Sequence, residues 1–209
     1  MIAIVDYGVG NLFSLKSSLG AIGEEAVVTR DRGELDRADH IILPGVGAFG
    51  DAAQKLRDTG MFQAVLSQAA AGKPLLGICL GMQLLFERSF EYGEHAGLGL
   101  IQGEVRDIRT VIPPQLAVPH MGWNGLRFPK DRPRSPIFAP LEEGEHVYFV
   151  HSFAGFNCKG QCIATTEYGA ELTAAVQNGN VYGTQFHPEK SGETGLKILK
   201  AFCRLEGRA

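Results

Sequence analysis

Pro74-Leu-Leu-Gly-Ile-Cys-Leu-Gly-Met-Gln-Leu-Leu-Phe86 is the stretch on which the fold turns. Its start reads as a buried apolar strand. Gly77-Ile78-Cys79-Leu80-Gly81 reads as a sharp turn, and Met82, Leu85 and Phe86 continue at helical spacing. Cys79 then sits at the apex of a strand–turn–helix unit, the mechanics that expose a serine in the hydrolase nucleophile elbow. Gly77 and Gly81 leave room for the turn and for close helix–strand packing. Such an apex aims backbone N–H groups and a helix start at whatever its side chain attacks, a setting that favours a thiolate. Alone, a cysteine in a tight βα turn is more often a small core residue, so its meaning depends on the rest of the chain.

Upstream, Met1–Asp6 is an apolar strand followed by the turn Gly8-Val-Gly10-Asn11. Leu12, Leu15, Leu19 and Ile22 give a helical stripe that Gly23 ends. Ala26–Thr29 and His40–Pro44 read as strands, the latter running into Gly45-Val46-Gly47. Helices are predicted from about Asp51 to Leu56 and from Met61 to Ala71. This alternation predicts an α/β fold with a central, mostly parallel sheet flanked by helices on both faces. Ligands should gather at the carboxyl ends of its strands. Three glycine-bearing turns, at 6–11, 44–47 and 79–81, fall on that rim.

Downstream the second half turns β-rich. Short β-like pieces are expected near Val105–Ile108, Val118–His120 and Gly125–Phe128, and a strand at Val147–Val150 delivers His151-Ser152-Phe153. Ile163–Tyr168, Ala174–Val176 and Val181–Phe186 follow as strands, with Asn178-Gly179 as a hairpin turn. A helix over 192–205 closes the chain. No linker divides the sequence, so residues 1–209 are read as one domain. Phe186-His187-Pro188-Glu189 comes directly after the last strand, and Pro188 stops it there. A cysteine nucleophile needs a base within reach, and the base needs an orienting group; His187 and Glu189 can serve. A satisfied edge histidine and a solvated turn carboxylate are the plain alternatives for each taken alone.

The chain has 209 residues, 44% hydrophobic and 21% charged, as in ordinary globular proteins. A net charge of −3 gives no electrostatic reason for a nucleic-acid partner. No apolar run is long enough to span a bilayer, and the N-terminus lacks the pattern of a signal peptide. Cys79, Cys158, Cys162 and Cys203 are then expected as free thiols in a cytoplasmic protein.

Taken together, Gly77–Gln83 and His187-Pro188-Glu189 resemble the signature of the class I glutamine amidotransferases. Further blocks narrow the likeness: Ile4–Asn11, Leu43–Gly50, Pro119–Asn124 and Tyr148–Ser152. With them the chain is similar, over almost its whole length, to the branch formed by glutaminase subunits of imidazole-glycerol-phosphate synthases. The resemblance implies the class I amidotransferase fold and a Cys79-His187-Glu189 triad. The triad would hydrolyse glutamine through a cysteinyl thioester, with no cofactor and no metal. It implies oxyanion donors at Val46, Gly47 and Leu80, and glutamine contacts at Gly45, Gln83, Glu91, Ser152 and Phe153. For Glu91 a solvated loop charge is an even alternative.

A (β/α)8-barrel cyclase subunit is the implied partner. It would use the ammonia to form imidazole glycerol phosphate and an aminoimidazole-carboxamide ribotide in histidine biosynthesis. Asn11, Met121, Trp123, Tyr148 and Lys190 match positions of that heterodimer interface. Trp123 is the one tryptophan, in a loop between glycines and prolines, and suits an exposed anchor; a core aromatic is the alternative. The peptide between Gly45 and Val46 is expected to reorient on partner binding.

Three rivals stand beside this reading. One is an amidotransferase subunit of another pathway, such as a pyridoxal-phosphate-forming glutaminase, expected to lack the 119–124 block. Another is a stand-alone Cys-His-Glu hydrolase. The third is a metal- or partner-binding module using Cys158, Cys162, His146 and His151, although Cys158-Lys-Gly-Gln-Cys162 lacks a second cysteine pair. Gly8-Val-Gly10 lacks the third glycine of a dinucleotide fingerprint.

Overall fold

The computed structural model describes residues 1–207. Its first half alternates strand and helix: β1 (Ile2–Val5), α1 (Leu12–Ala21), β2 (Ala26–Thr29), α2 (Arg32–Arg37), β3 (His40–Gly45), α3 (Phe49–Asp58), α4 (Met61–Ala70), β4 (Leu75–Cys79) and α5 (Leu80–Leu84). Then come β5 (Phe86–Ser89), β6 (His95–Ala96), β7 (Ile101–Asp107), β8 (His120–Gly125), β9 (His146–His151), β10 (Phe153–Phe156), β11 (Cys162–Glu167), β12 (Glu171–Asn178), β13 (Val181–Thr184) and α6 (Gly192–Cys203).

The main sheet has the order β11-β12-β13-β4-β3-β1-β2. Its β13-β4-β3-β1-β2 part is parallel, and β11 and β12 join antiparallel. Central strands such as Ile2-Ala-Ile-Val5 are buried on both faces, as a parallel sheet under helices requires. Alternate residues feed two cores. Val5, Leu43 and Leu75 meet Leu35, Phe49, Leu56 and Val65 from α2, α3 and α4. Ile4, Ile42 and Leu76 meet Leu15 and Leu19 of α1 and Leu199 and Phe202 of α6. β10-β7-β5-β6 form a second sheet, and β8 with β9 a two-stranded ribbon. No helix among the described residues is long and apolar enough to cross a membrane.

Several sequence expectations change. The helix predicted through Phe86 stops at Leu84, because the returning chain takes its last carbonyls. Leu98 N–H donates to Leu84 O at 2.8 Å, and Leu100 and Ile101 N–H to Leu85 O at 2.8 and 2.9 Å. Phe86 therefore starts β5 instead of a further turn. Residues 32–37 form a helix the apolar periodicity did not reveal; Asp31 caps it by accepting from Glu34 N–H at 2.9 Å. The strand expected at 118–120 starts only at His120, and the one expected to run to Phe186 ends at Thr184.

The glycine-bearing turns do converge. β1, β3 and β4 are adjacent, Tyr7 Oη donates to Pro44 O at 2.7 Å, and a Cβ on Gly10 would lie 3.2 Å from the Pro44 ring.

Candidate active site

Cys79 closes β4 with φ 55° and ψ −111°. This is the left-handed side of the map, sparsely used by residues other than glycine and often found where a side chain is held for function. The flanking glycines answer a different need. A Cβ on Gly81 would sit 1.8 Å from the Leu43 carbonyl oxygen, and one on Gly77 2.7 Å from the Gly81 oxygen. Close approach of the elbow to β3 and to itself therefore dictates both. α5 is only five residues long. The helix-terminus contribution expected at Cys79 is correspondingly small.

β13 lies beside β4 in parallel, so the residues after Thr184 emerge at the same rim. His187 N–H donates to the Tyr148 carbonyl at 3.0 Å, and Pro188 opens a short 3-10 turn that folds Glu189 back. His187 Nδ1 lies 2.8 Å from Glu189 Oε1, and both side chains are 3% exposed. A carboxylate there accepts, so Nδ1 carries the proton. Burial alone would lower the His187 pKa. Hydrogen bonds to Cys79 and Glu189, and the negative charge on both, outweigh burial and raise it to about 9. Sulfur, imidazole and carboxylate are thus brought together from residues distant in sequence.

A cavity of about 390 Å³ opens over this group. Val46, Gly47, Leu80, Gln83, Glu91, Ser152, Phe153 and Lys190 line it together with Cys79 and His187. Gly45 lies beneath, paired with Cys79 in the β3–β4 ladder, where a Cβ would meet Tyr7 Oη at 2.7 Å. Space, not φ, demands glycine at 45; at Gly47 a φ of +96° does. Val46 between them is 43% exposed.

Glu91 is neither solvated nor free in a loop. It is 8% exposed, and its Oε2 accepts from Phe49 N–H at 2.6 Å, capping α3, whose Ala48 has no capping side chain. Burial raises its pKa, and the Phe49 N–H opposes that.

Sequence reasoning did not single out Gln185. It is fully buried, and its Nε2 donates to Cys79 Sγ at 3.7 Å while its Oε1 accepts from Gln83 Nε2 at 3.0 Å. Its position two residues before His187 was the available signal.

The ribbon β8–β9 forms one wall. Trp123 and Tyr148 are cross-strand partners with ring centroids 5.9 Å apart. Met121 and Trp123 are 61% and 53% exposed, Asn11 and Tyr148 half-buried, and Lys190 exposed. Phe13, two residues from Asn11 and 83% exposed, escaped notice in the sequence. Of the residues of the metal alternative, Cys158 and Cys162 are neighbours, but His146 and His151 do not complete a site with them. Cys158 contacts Thr173, Cys162 contacts Ala164 O, and His146 and His151 occupy opposite ends of β9. Among the described residues no group of three or more His, Cys, Asp or Glu could hold a metal ion.

A cysteine elbow at the tip of a parallel sheet, backed by a buried His–Glu pair under a small cavity, suits hydrolysis of an amide through a thioester. The chain belongs to the glutamine amidotransferase class-I family, whose model matches residues 3–205. Within that family it is similar to proteins described as imidazole glycerol phosphate synthase subunit HisH. The protein from Sulfurimonas denitrificans is 50% identical over 206 residues, 98% of each chain. That from Caldanaerobacter subterraneus subsp. tengcongensis is 48% identical over 97% of each. In fold it resembles a solved glutamine amidotransferase (TM-score 0.73, 21% identity, covering 97% of this chain and 100% of that one). PurLQS from Thermotoga maritima also matches (TM-score 0.72, 24% identity, 97% and 96% covered).

Proposed function

We propose that this chain, read as one glutaminase domain, is the ammonia-producing subunit of an imidazole glycerol phosphate synthase. The observation that carries the reading is the buried Cys79–His187–Glu189 group beneath a cavity lined by Gln83, Ser152 and Phe153. The near full-length likeness to subunits so named supports the choice of synthase.

In this reading the Cys79 sulfur attacks the side-chain carbonyl carbon of glutamine. The carbonyl electron pair moves to oxygen, and the N–H groups of Leu80 and of the Val46–Gly47 turn receive the oxyanion. His187, protonated and held by Glu189, gives its proton to the amide nitrogen as the C–N bond breaks. Ammonia leaves and a glutamyl thioester remains. His187 then takes a proton from water, which attacks the thioester; the C–S bond breaks and glutamate departs. No redox step or metal enters. Gly45, Gln83, Glu91, Ser152 and Phe153 surround the substrate.

Free ammonia is protonated and lost in water, so the rim needs a cover. Val46 at the cavity and Met121 and Trp123 on the ribbon that walls it supply exposed apolar surface, with Lys190 at the rim; Asn11 and Tyr148 are the further positions this reading assigns to the contact. A (β/α)8-barrel cyclase subunit is the partner this reading calls for.

Co-expression with the cyclase, followed by measurement of glutamate release with and without its acceptor ribotide, tests the proposal. Release is expected in the complex and should vanish in Cys79→Ala; trapping at low temperature should leave a glutamyl adduct on the Cys79 peptide. Full activity of the lone chain on varied γ-glutamyl amides would favour the stand-alone hydrolase.

A further inference from the structure

We propose that His120 and His151 are positioning residues: they fix the carbonyl of Phe153 and, through it, the side-chain amide of Gln83 that faces the cavity. This rests on the glutaminase reading for its kinetic consequence only. His151 Nδ1 lies 2.8 Å from Phe153 O, a pure acceptor, so that nitrogen carries the proton. Gln83 Nε2 donates to the same oxygen at 3.0 Å and to Gln185 Oε1 at 3.0 Å. Both hydrogens of the Gln83 amide are thereby used, and its carbonyl oxygen is what it offers to the cavity.

The proton on His151 Nδ1 is itself held in place. His120 Nδ1 lies 3.0 Å from His151 Nε2. Burial lowers the His120 pKa, against a hydrogen bond to Asn124. It pushes that of His151 down to about 3, with His120 and His187 adding to the effect. Burial thus favours the neutral form of both rings, with one proton each. With His151 protonated at Nδ1, its Nε2 can only accept, so His120 must donate from Nδ1. His120 Nε2 is left as an acceptor, whereas the structure sets Asn124 Oδ1, itself an acceptor, 2.9 Å from it. That calls for the Asn124 –NH2 in place of its oxygen. Turning the amide in place would leave its oxygen 2.9 Å from the Glu167 carbonyl oxygen, two acceptors face to face, so the Asn124 side chain must also swing off Glu167 towards water. His120 is wedged between the Phe149 and Tyr168 rings at 4.9 and 4.1 Å, which fixes its plane. A directed chain of donors thus runs from β8, the strand that bears Trp123, to the Phe153 carbonyl, where the Gln83 amide donates from the other side. Neither ring touches the Cys79–His187–Glu189 group by a hydrogen bond, so the expected signature is in binding.

Two readouts test this. In the isolated chain with ¹⁵N-labelled histidine, two-bond ¹⁵N–¹H correlation spectra should show His120 and His151 each protonated at Nδ1 only. An Nε2–H form of His151 overturns the proposal, whatever the protein catalyses. In the complex with the cyclase, His151→Phe should raise KM for glutamine about tenfold, roughly 1.4 kcal/mol, with kcat within about twofold. His151→Asn, which places an amide N–H near the lost Nδ1–H, should recover most of that loss. His120→Phe keeps the stacking and removes the donor, so it guards against a folding defect and should raise KM about threefold. Unchanged KM in both Phe variants, or no recovery with Asn, refutes the positioning role. A complex without glutaminase activity speaks against the proposed function and leaves the tautomer result to decide this inference.

Discussion

His187 joins two neighbours that both favour its charged form, and its stability contribution has a definite sign. Its folded pKa is about 9, above the ordinary histidine value of about 6.5. The contribution is therefore fully present below about pH 6.5 and fades as pH rises towards 9. We expect the melting temperature of the chain to fall over that window more steeply than that of His187→Gln, in matched thermal scans. Glu189 gives a second test. Among the described residues its Oε2 is buried without a hydrogen-bond partner, while Oε1 holds His187. Glu189→Gln keeps the shape but removes the charge, and should cut glutamate release by about 10²–10⁴ and, below about pH 6.5, lower stability by roughly 1.5–3 kcal/mol as a charged hydrogen bond is lost. Cysteine, histidine and glutamate were legible in the sequence because each stands in a local motif with a turn or strand end that announces it. Gln185, His120 and His151 were not read as partners of the site. Their roles exist only in contacts between strands far apart in sequence. Glu91 was visible as a charge, but its capping of α3 depends on a loop folding over a helix end.

Among the elements, the elbow is the least tolerant. A methyl on Gly81 would collide with the backbone of β3, which cannot retreat without breaking the sheet. Gly81→Ala should cost on the order of 3 kcal/mol or more and lower the melting temperature by roughly 10 °C. Gly20, in α1 with open space around it, is the control. Gly20→Ala should be neutral or stabilising by about 0.5–1 kcal/mol, both read from thermal or denaturant unfolding. The strands and helices of the parallel half were legible because buried strands announce themselves as apolar runs and amphipathic helices by their period. The end of α5 was hidden because carbonyls supplied by Leu84 and Leu85 go to residues 98–101, a competition no local pattern encodes. The short helix 32–37 carried its sign in Asp31 and Glu34, a capping signal that apolar periodicity ignores.

For the molecule as a whole, the exposed side chains Met121 and Trp123 stand on the ribbon that walls the cavity over Cys79. Trp123→Ala should weaken association with the cyclase by about 2 kcal/mol, roughly thirtyfold in Kd, measured by titration calorimetry. The melting temperature of the lone chain should stay within a few degrees, since the ring is half in solvent. Finally, Gly45 and Cys79 are partners on adjoining parallel strands. The tip that would cradle the developing negative oxygen and the tip that would carry the attacking sulfur thus share one rung of the same ladder. A partner that tugs on Val46 has no long mechanical route to traverse. Docking and bond-breaking can share a lever a single residue pair in length.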